Sequence, residues 1–257
     1  AYFFVMDLPH SDGCFVRSYP AATAEAWMDG HVHAFAFFGG VPQSVLYDND
    51  RCLVSKILPD GTRKRATLFS ALQSHYLFHD RYGRPGKGND KGSVEGLVGF
   101  ARRNFMVPVP QIDDLEEFNE QLAQSCRADL ERRLRGKRTT KQGLLEEEQC
   151  ALLPLPKQSF EARRVESAKA NSLSLVRFDT NDYSVPVPYA HHPVVVKGFA
   201  DRVVIGYGPK IIAEHPRCWQ RQQCVFHDLH QGKRTAGRRH LAGCWTCEHV
   251  GLCLRHS

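Results

Sequence analysis

The chain has 257 residues, a hydrophobic fraction of 42% and a formal net charge of +6. These values are typical of a globular protein with one large or two small domains. No apolar run approaches the roughly 20 residues that a membrane-spanning helix needs, and no cleavable signal pattern is present, so we expect a soluble protein without a membrane partner.

The basic charge is concentrated in one part of the chain. Residues 1–60 contain 3 basic and 7 acidic side chains, whereas residues 61–110 contain 9 basic and 3 acidic ones. A basic patch of this kind predicts a phosphate-bearing partner. Six of the nine cysteines are scattered singly along the chain, which is typical of reduced thiols. This pattern predicts a cytosolic protein. The chain begins directly with a strand-like segment, which predicts that the natural N terminus lies further upstream.

The first fifty residues predict a layered α/β unit. Residues 1–8 and 14–19 are rich in β-branched and aromatic side chains around a turn, which predicts an antiparallel hairpin. Residues 23–38 have helical periodicity and are followed by Gly39 as a C-cap. Residues 44–47 form a short predicted strand, and two strands, a helix and a strand make an α/β layer.

Asp48 is the first candidate site residue. It follows the predicted strand 44–47, and the carboxyl end of a strand in an α/β sheet is the edge at which such folds bind ligands. The alternative interpretation is a turn, since Asp-Asn is a common turn former. Asp7 lies on the first strand, and its apolar neighbours predict a strand-end surface residue.

Residues 82–107 are a glycine-rich basic loop that opens into a predicted helix. On this helix Lys91, Glu95 and Arg102 share one flank of the apolar stripe, so that an acid lies between two bases. Asp48 and Glu95 together could hold Mg²⁺, which prefers carboxylate oxygens and substrate phosphates. The alternative is a solvated first-turn glutamate favoured by the helix dipole. Lys87, Lys91, Arg102 and Arg103 are candidate DNA-phosphate contacts, with a solubilising surface as the alternative.

The segments around this loop are less regular. Residues 51–65 are predicted to be an irregular connector, residues 67–75 a helix and residues 76–79 a short strand. Asp113 with Glu116 predicts the capping box of a further helix. The far end of that helix carries a basic run that is either a solvated face or a track for the DNA backbone, consisting of Arg132, Arg133, Arg135, Lys137, Arg138 and Lys141.

Beyond a proline-containing linker the apolar period becomes two. Residues 160–170 are polar and basic, and five short strands follow them. Five strands at this spacing predict a small β-barrel. The predicted strands are residues 173–178, 183–188, 194–200, 202–207 and 210–214.

Several of these segments resemble one family. LYDN at residues 46–49, FFGGVP at residues 37–42 and SHYLFHDRYGRPGKGNDKGSVEGLVGFARRNF at residues 74–105 are similar to the catalytic core of IstA-like insertion-sequence transposases. ANSLSLVRFDTNDYSVPV at residues 170–187 is similar to the small β domain that follows this core. The resemblance extends to about residue 230, and it implies a DDE transposase with a ribonuclease-H-like fold.

The resemblance implies roles for the candidate residues. Asp48 corresponds to the second acid of the catalytic triad and Glu95 to the third, with Asn49 and Lys91 at supporting positions. The first Asp would lie on a strand before Ala1. The family further implies two Mg²⁺ (or Mn²⁺) ions, insertion-sequence ends and target DNA as substrates, a homo-oligomer on DNA, a separate AAA+ ATPase helper, and a bacterial cytoplasmic, nucleoid-associated location.

The tail has a different composition. Cys244, Cys247, Cys253 and His256 form a C-x₂-C-x₅-C-x₂-H pattern, which on paper could supply four zinc ligands. The gap between the two pairs is shorter than in common zinc fingers, so we favour a shifted reading frame or a decayed end, with a zinc site as the alternative.

We therefore predict four regions. Residues 1–110 are an incomplete ribonuclease-H-like core, residues 111–170 a helical connector and linker, residues 171–230 a small β-barrel, and residues 231–257 a divergent tail. The predicted function is metal-dependent DNA cleavage and strand transfer. The alternatives are a catalytically inactive DNA-binding or oligomerisation remnant, and a nuclease with the same fold.

Overall fold

The computed structural model describes residues 1–47, 52–57, 63–82, 99–107, 112, 114–226 and 251–253. The chain divides into two compact units. Unit 1 consists of residues 1–160 with 239–257, and unit 2 of residues 161–238. The domain boundaries expected at residues 110, 170 and 230 stay predictions.

The described elements follow one another in a mixed α/β order. Those of unit 1 up to residue 160 are β1 (Tyr2–Leu8), β2 (Gly13–Tyr19), α1 (Ala24–Phe38), β3 (Ser44–Tyr47), β4 (Val54–Ile57), β5 (Arg63–Arg65), α2 (Thr67–Tyr76), β6 (His79–Tyr82), α3 (the helical residues 99–105), α4 (Leu115–Leu130) and α5 (Lys141–Gln149). Those of unit 2 are β7 (Arg164–Lys169), β8 (Leu175–Phe178), β9 (Asn181–Ser184), β10 (Pro193–Gly198), β11 (Arg202–Tyr207), β12 (Lys210–Pro216) and β13 (Cys224–Val225). A last strand, β14 (Gly251–Cys253), belongs to unit 1.

A five-stranded sheet in the order β2-β1-β14-β3-β6 forms the centre of unit 1. The hairpin of β1 and β2 is antiparallel and in register along its whole length, as predicted. β3 and β6 are parallel neighbours. β14 lies between the two pairs, parallel to β1 and antiparallel to β3, so that a strand from the tail occupies the centre of this sheet.

Helix α1 packs on one face of this sheet. Its N-cap is Thr23, whose side chain accepts a hydrogen bond from the Ala26 amide, and it ends at Gly39 in the left-handed conformation with φ of 74°. Both ends agree with the sequence prediction. Gly30 lies against the ring of Phe4, and a Cβ atom at this position would stand only 2.4 Å from the ring. Glycine therefore allows α1 to approach β1 closely.

The opposite face of the hairpin carries an apolar cluster. β1 and β2 contribute one side of it, and α3 and α4 contribute the other, which buries apolar area from four elements in one place. Its buried members are Phe3, Val5, Cys14, Val16, Ala101, Met106, Phe118, Leu122 and Cys126. The hairpin of β1 and β2 is thus covered by helices on both faces, as an α/β layer requires.

Three local predictions for unit 1 were wrong in detail. The connector of residues 51–65 contains the antiparallel hairpin of β4 and β5. Helix α2 continues to Tyr76, so the strand expected at residues 76–79 is β6 at His79–Tyr82. The N-cap of α4 is Asp114, whose carboxylate accepts from the amides of Glu116 and Glu117. Asp113 lies outside the described residues.

Unit 2 contains a four-stranded sheet and a three-stranded sheet. β12, β11, β10 and β7 form the first in that order, and β13, β9 and β8 form the second. The five predicted strands are present as β8 to β12, with ends shifted by a few residues. The polar residues 160–170 contain the additional strand β7, which pairs with β10.

The strands of unit 2 bury one apolar cluster, but they do not close into a barrel within residues 161–226. The two sheets share no ladder, since β7 and β8 each pair with other strands. The cluster consists of Ala170, Val176, Phe178, Tyr183, Val185, Val194, Val196, Val203, Ile205 and Ala213. The predicted β-rich domain is therefore present, whereas the predicted closed barrel is not found in the part of the chain that is described.

Candidate active site

The ends of two neighbouring strands define the candidate site. β3 and β6 are parallel, and their last residues, Tyr47 and Tyr82, are partners in the register. The rings of these two tyrosines lie 6.1 Å apart. Asp48 follows Tyr47 in the chain, and the basic loop follows Tyr82. Both predicted site segments therefore follow strands that end at the same edge of the sheet. This is the carboxyl edge, at which α/β folds bind ligands.

A buried histidine holds the end of β3. The two ring nitrogens of His31 lie 2.7 Å from the Trp27 carbonyl oxygen and 2.9 Å from the Tyr47 hydroxyl oxygen. A carbonyl oxygen can only accept, so Nδ1 of His31 carries the proton and Nε2 accepts from the Tyr47 hydroxyl. Burial lowers the pKa of His31 to about 4. The neutral ring thus joins α1 to the residue before Asp48.

Aromatic packing surrounds this hydrogen bond. His31 and Tyr47 are 0% and 1% exposed, and the Tyr47 ring makes an edge contact of 5.2 Å with Phe69 of α2. His31 also stacks on Phe78, with ring centroids 6.3 Å apart. Burial raises the pKa of the Tyr47 hydroxyl well above its ordinary value. The carboxyl end of β3 is therefore fixed by two helices and by β6.

The carboxylate of Asp80, which lies near this edge, is already paired with an arginine. Asp80 of β6 accepts two hydrogen bonds from the guanidinium of Arg65, at 2.8 and 2.6 Å. Burial alone would raise the pKa of Asp80, but hydrogen bonds from Arg65, Gln73 and Tyr82 hold it below its ordinary value. Asp80 is thus an ionised partner of Arg65, which ties the β4–β5 hairpin to β6.

Helix α3 brings two predicted phosphate contacts to unit 1. Ala101 is 1% exposed and lies in the apolar cluster against β1 and β2. Arg102 is half-buried and Arg103 is exposed, and their predicted phosphate contacts stay predictions. The Nε and Nη2 atoms of Arg102 are buried and have no hydrogen-bond acceptor in the described part of the chain.

Asp7 was expected on the surface, and this prediction was wrong. It lies within β1, pairs with Cys14 of β2 in the register, and is half-buried. Strand alternation puts it on the same face as Phe3 and Val5, against which α3 and α4 pack. Burial raises the pKa of the Cys14 thiol, and the Asp7 charge adds to this effect.

Comparison with known proteins identifies the chain. Residues 155–227 match the family model described as "Mu transposase, C-terminal domain". A transposase of Aminobacter aminovorans is 35% identical over 211 residues, which are 82% of this chain and 41% of that protein. The transposase for insertion sequences IS1326/IS1353 of Pseudomonas aeruginosa is 34% identical over 212 residues, with the same two shares. The transposase for insertion sequence element IS21 of Pseudomonas aeruginosa is 32% identical over 219 residues, or 84% and 56% of the two chains.

The chain belongs to the IstA-like family of insertion-sequence transposases. Its match to the first two relatives spans about two fifths of their length. The resemblance recognised in the motifs is thereby confirmed. The Mu-type domain lies within residues 155–227, and it includes all of the described strands of unit 2.

Four predicted site residues of this IstA-like chain lie outside the described residues, namely Asp48, Lys87, Lys91 and Glu95. Their roles stay predictions. Within the described residues, no group of three His, Cys, Asp or Glu side chains could hold a metal ion. The residues that sequence reasoning missed are His31, Tyr47 and the Arg65–Asp80 pair. The one available signal was a histidine within the apolar stripe of α1, four residues after Trp27.

The basic run after α4 is partly structural. α4 ends at Leu130, and the ammonium of Lys141 lies 2.7 Å from Asp129 and 2.6 Å from Asp12. The side chains of Lys141 and Asp129 are 4% and 3% exposed. Lys141 therefore cannot follow a DNA backbone, and this part of the prediction was wrong. The other basic residues of the run are exposed or half-exposed, and Arg132 also pairs with Asp129.

Of the four residues that could be zinc ligands in the tail, Cys244, Cys247 and His256 lie outside the described residues, and only the backbone of Cys253 is described, in β14. The six cysteines before the tail are free thiols, as expected. Among the described helices, none combines the length and apolar character that crossing a bilayer requires.

Proposed function

We propose that this chain carries part of the active site of a DDE-type transposase, which cleaves the ends of an insertion sequence and joins them to target DNA. The observation that carries the proposal is the common edge at which β3 and β6 end, because Asp48 and the basic loop both follow it. The names of the relatives support the same reaction. We also propose that unit 1 is a ribonuclease-H-like core, since an antiparallel pair, a helix and a parallel pair follow in the expected order.

Asp48 and Glu95 would hold Mg²⁺ or Mn²⁺. Their carboxylates are the hard oxygen ligands that these ions prefer, and the Tyr47–His31 hydrogen bond would keep the strand end before Asp48 in one position. When bound, the metal supplies positive charge beside the reacting phosphate. The basic residues Arg102 and Arg103, with Lys87 and Lys91, would contact DNA phosphates and orient the strand. Water would attack the phosphodiester at the insertion-sequence end and release its 3′ hydroxyl. That hydroxyl would then attack a phosphodiester of the target DNA and displace a 3′ oxygen of the target strand.

The whole enzyme would act as an oligomer on DNA with a separate ATPase helper. This part of the proposal rests on family membership. Soluble, cytoplasmic action on the nucleoid is proposed on the same ground.

Substitution of Glu95 tests the proposal. With the upstream strand that carries the first Asp included, we expect Mg²⁺-dependent nicking of DNA that carries insertion-sequence ends. Its rate should fall by about a hundredfold or more in Glu95→Gln and in Asp48→Asn, because each removes a metal-ligand carboxylate. Asp90→Asn and Asp50→Asn are matched controls, since each removes one neighbouring carboxylate and should retain the rate. Nicking would be followed on end-labelled DNA.

Three outcomes would contradict the proposed function or favour one of its alternatives. Nicking that persists in Glu95→Gln would exclude Glu95 as a metal ligand. Nicking without joining of the 3′ end to target DNA would favour a nuclease, and binding without nicking would favour an inactive DNA-binding remnant.

A further inference from the structure

One end of unit 2 is formed by three segments that contain no acidic residue. They are residues 169–175 (KANSLSL), 184–193 (SVPVPYAHHP) and 207–211 (YGPKI). We call this end the acid-free pole. Its basic residues are Lys169 and Lys210, accompanied by His191 and His192.

Backbone pairing joins these segments. Lys169 at the end of β7 pairs with Pro193 at the start of β10, and Tyr207 at the end of β11 pairs with Lys210 at the start of β12. The Ala170 amide donates to the His192 carbonyl at 3.1 Å. The acid-free pole is therefore one continuous end of the four-stranded sheet.

The charges of unit 2 are distributed unequally. Each of the six acidic residues between positions 161 and 226 makes an ion pair with an arginine. Lys169 and Lys210 make no ion pair with any described residue, and both are exposed. Five of the six arginines between positions 161 and 226 thus have an acidic partner, and the lysine charge at the acid-free pole is available to a partner.

Aromatic rings stand between these lysines. The ring of Tyr207 lies 5.4 Å from that of Tyr189 and 5.5 Å from that of His192, the latter in an edge-to-face arrangement. Tyr207 is 40% exposed, and the aliphatic side chains of Leu173 and Val187 at the same pole are more than 70% exposed. The cluster therefore offers a ring supported by neighbouring rings, which loses little conformational freedom when a flat ligand stacks on it.

We propose that the acid-free pole binds a DNA strand with unpaired bases, such as a frayed or overhanging end. Lys169 and Lys210 contact its phosphates, and an unpaired base stacks on the Tyr207 cluster. Exposed rings between basic side chains suit single strands, because in a duplex each base face is covered by the neighbouring base pair. That the bound strand is DNA rests on the proposed function. The arrangement of lysines and aromatic rings at the acid-free pole is independent of that function.

Binding measurements without catalysis test this inference. Fluorescence anisotropy of the full chain in EDTA would compare a single-stranded oligothymidylate, a duplex with a short 3′ overhang and the same duplex with blunt ends. We expect Tyr207→Leu to weaken binding of the first two about fivefold or more, with blunt duplex unchanged, because a stacked base is lost. Tyr207→Phe should retain the affinity, since the ring remains.

The lysines have a charge-matched control. In Lys169→Gln/Lys210→Gln, the slope of log Kd against log salt for the single strand should fall by about 1.4, which corresponds to two phosphate contacts. Arg177→Gln/Arg221→Gln removes the same charge elsewhere in unit 2. Arg177 pairs with Asp182, and Arg221 precedes Gln222, whose amide donates to the Thr180 carbonyl. This control should leave the slope unchanged.

A labelling experiment localises the contact without any variant. Acetylation of Lys169 and Lys210 should be slowed by the overhang duplex, whereas that of Lys157, an exposed lysine of unit 1, should not. Equal losses in both double variants, equal effects of Tyr207→Leu on blunt and single-stranded DNA, or unprotected lysines would overturn the inference. Affinity for anionic vesicles or an acidic peptide in place of the oligonucleotides would also overturn it. Normal binding together with absent nicking would instead contradict only the proposed function.

Discussion

At the scale of single residues, His31 shows how a core residue prepares a site. Its ring joins the backbone of α1 to the hydroxyl of Tyr47, directly before the predicted metal ligand Asp48. The aromatic side chains around it exclude water, so the protonated form of the ring is strongly disfavoured. The neutral form is therefore part of the folded structure.

The pKa of His31 predicts a pH-dependent stability. The folded value of about 4 lies below the ordinary value of 6.5, so the unfolded chain binds the proton more readily between these values. Stability should be fully present above pH 6.5 and decline as the pH falls towards 4, by about 3 kcal/mol from this residue. Urea unfolding across this range would measure it.

His31→Gln serves as the comparison, since it retains a donor and an acceptor but does not titrate. The variant should have a flatter dependence between pH 6.5 and 4, whatever its stability at neutral pH. An identical slope in both proteins would show that His31 is not the titrating group.

At the scale of elements, the contact of α1 with β1 depends on the absence of one side chain. A Cβ atom at Gly30 would lie 2.4 to 2.9 Å from three atoms of the Phe4 ring. The ring is 2% exposed and is enclosed by Trp27 and His31, so it has little room to move. The helix and the strand can therefore separate only by losing buried contacts.

We expect Gly30→Ala to destabilise unit 1 by about 1 to 3 kcal/mol through overpacking. Helix propensity alone would favour alanine by about 1 kcal/mol. At an exposed helix position the same substitution would therefore stabilise the protein, whereas at Gly30 we expect it to destabilise unit 1. Ala36→Gly, at an exposed site of the same helix, measures the difference in helix propensity between alanine and glycine without the packing contact. The measurement is the free energy of unfolding in urea. A stabilising effect of Gly30→Ala would contradict the close packing of Gly30 against the Phe4 ring.

At the scale of the whole molecule, each unit has its own apolar cluster. The cluster of unit 2 is built entirely from residues between Ala170 and Ala213. Phe178 of this cluster is 1% exposed, and the guanidinium of Arg164 lies over its ring at 4.6 Å from the centroid. A unit with its own core meets the main physical requirement for folding alone.

Residues 161–226 expressed as a separate chain should therefore unfold cooperatively. Trp219, the one tryptophan in this segment, provides the fluorescence signal, and it packs under Arg217 at 4.0 Å. Phe178→Ala should lower the stability by about 3 to 5 kcal/mol because it empties the core. A gradual transition that the substitution does not change would indicate that unit 2 needs the rest of the chain.

The sequence by itself determined the elements whose signals are local. The hairpin of β1 and β2, the capped helix α1, strand β3 and the strands of unit 2 follow from periodicity and from turn and cap residues that lie within a few positions of one another. The family motifs also lie within continuous segments. The errors occurred where a contact between distant residues decided the outcome, as in the pairing of β7 with β10 and the burial of Lys141 beside Asp129.

Only the tertiary structure decided how these elements meet. It made β3 and β6 parallel neighbours, so that two segments 35 positions apart begin at Tyr47 and Tyr82 on one edge. It likewise assembled the acid-free pole from three separate segments and put β14 at the centre of the sheet. Pairing across such distances depends on which surfaces exclude water together, and no local periodicity in the sequence records that choice.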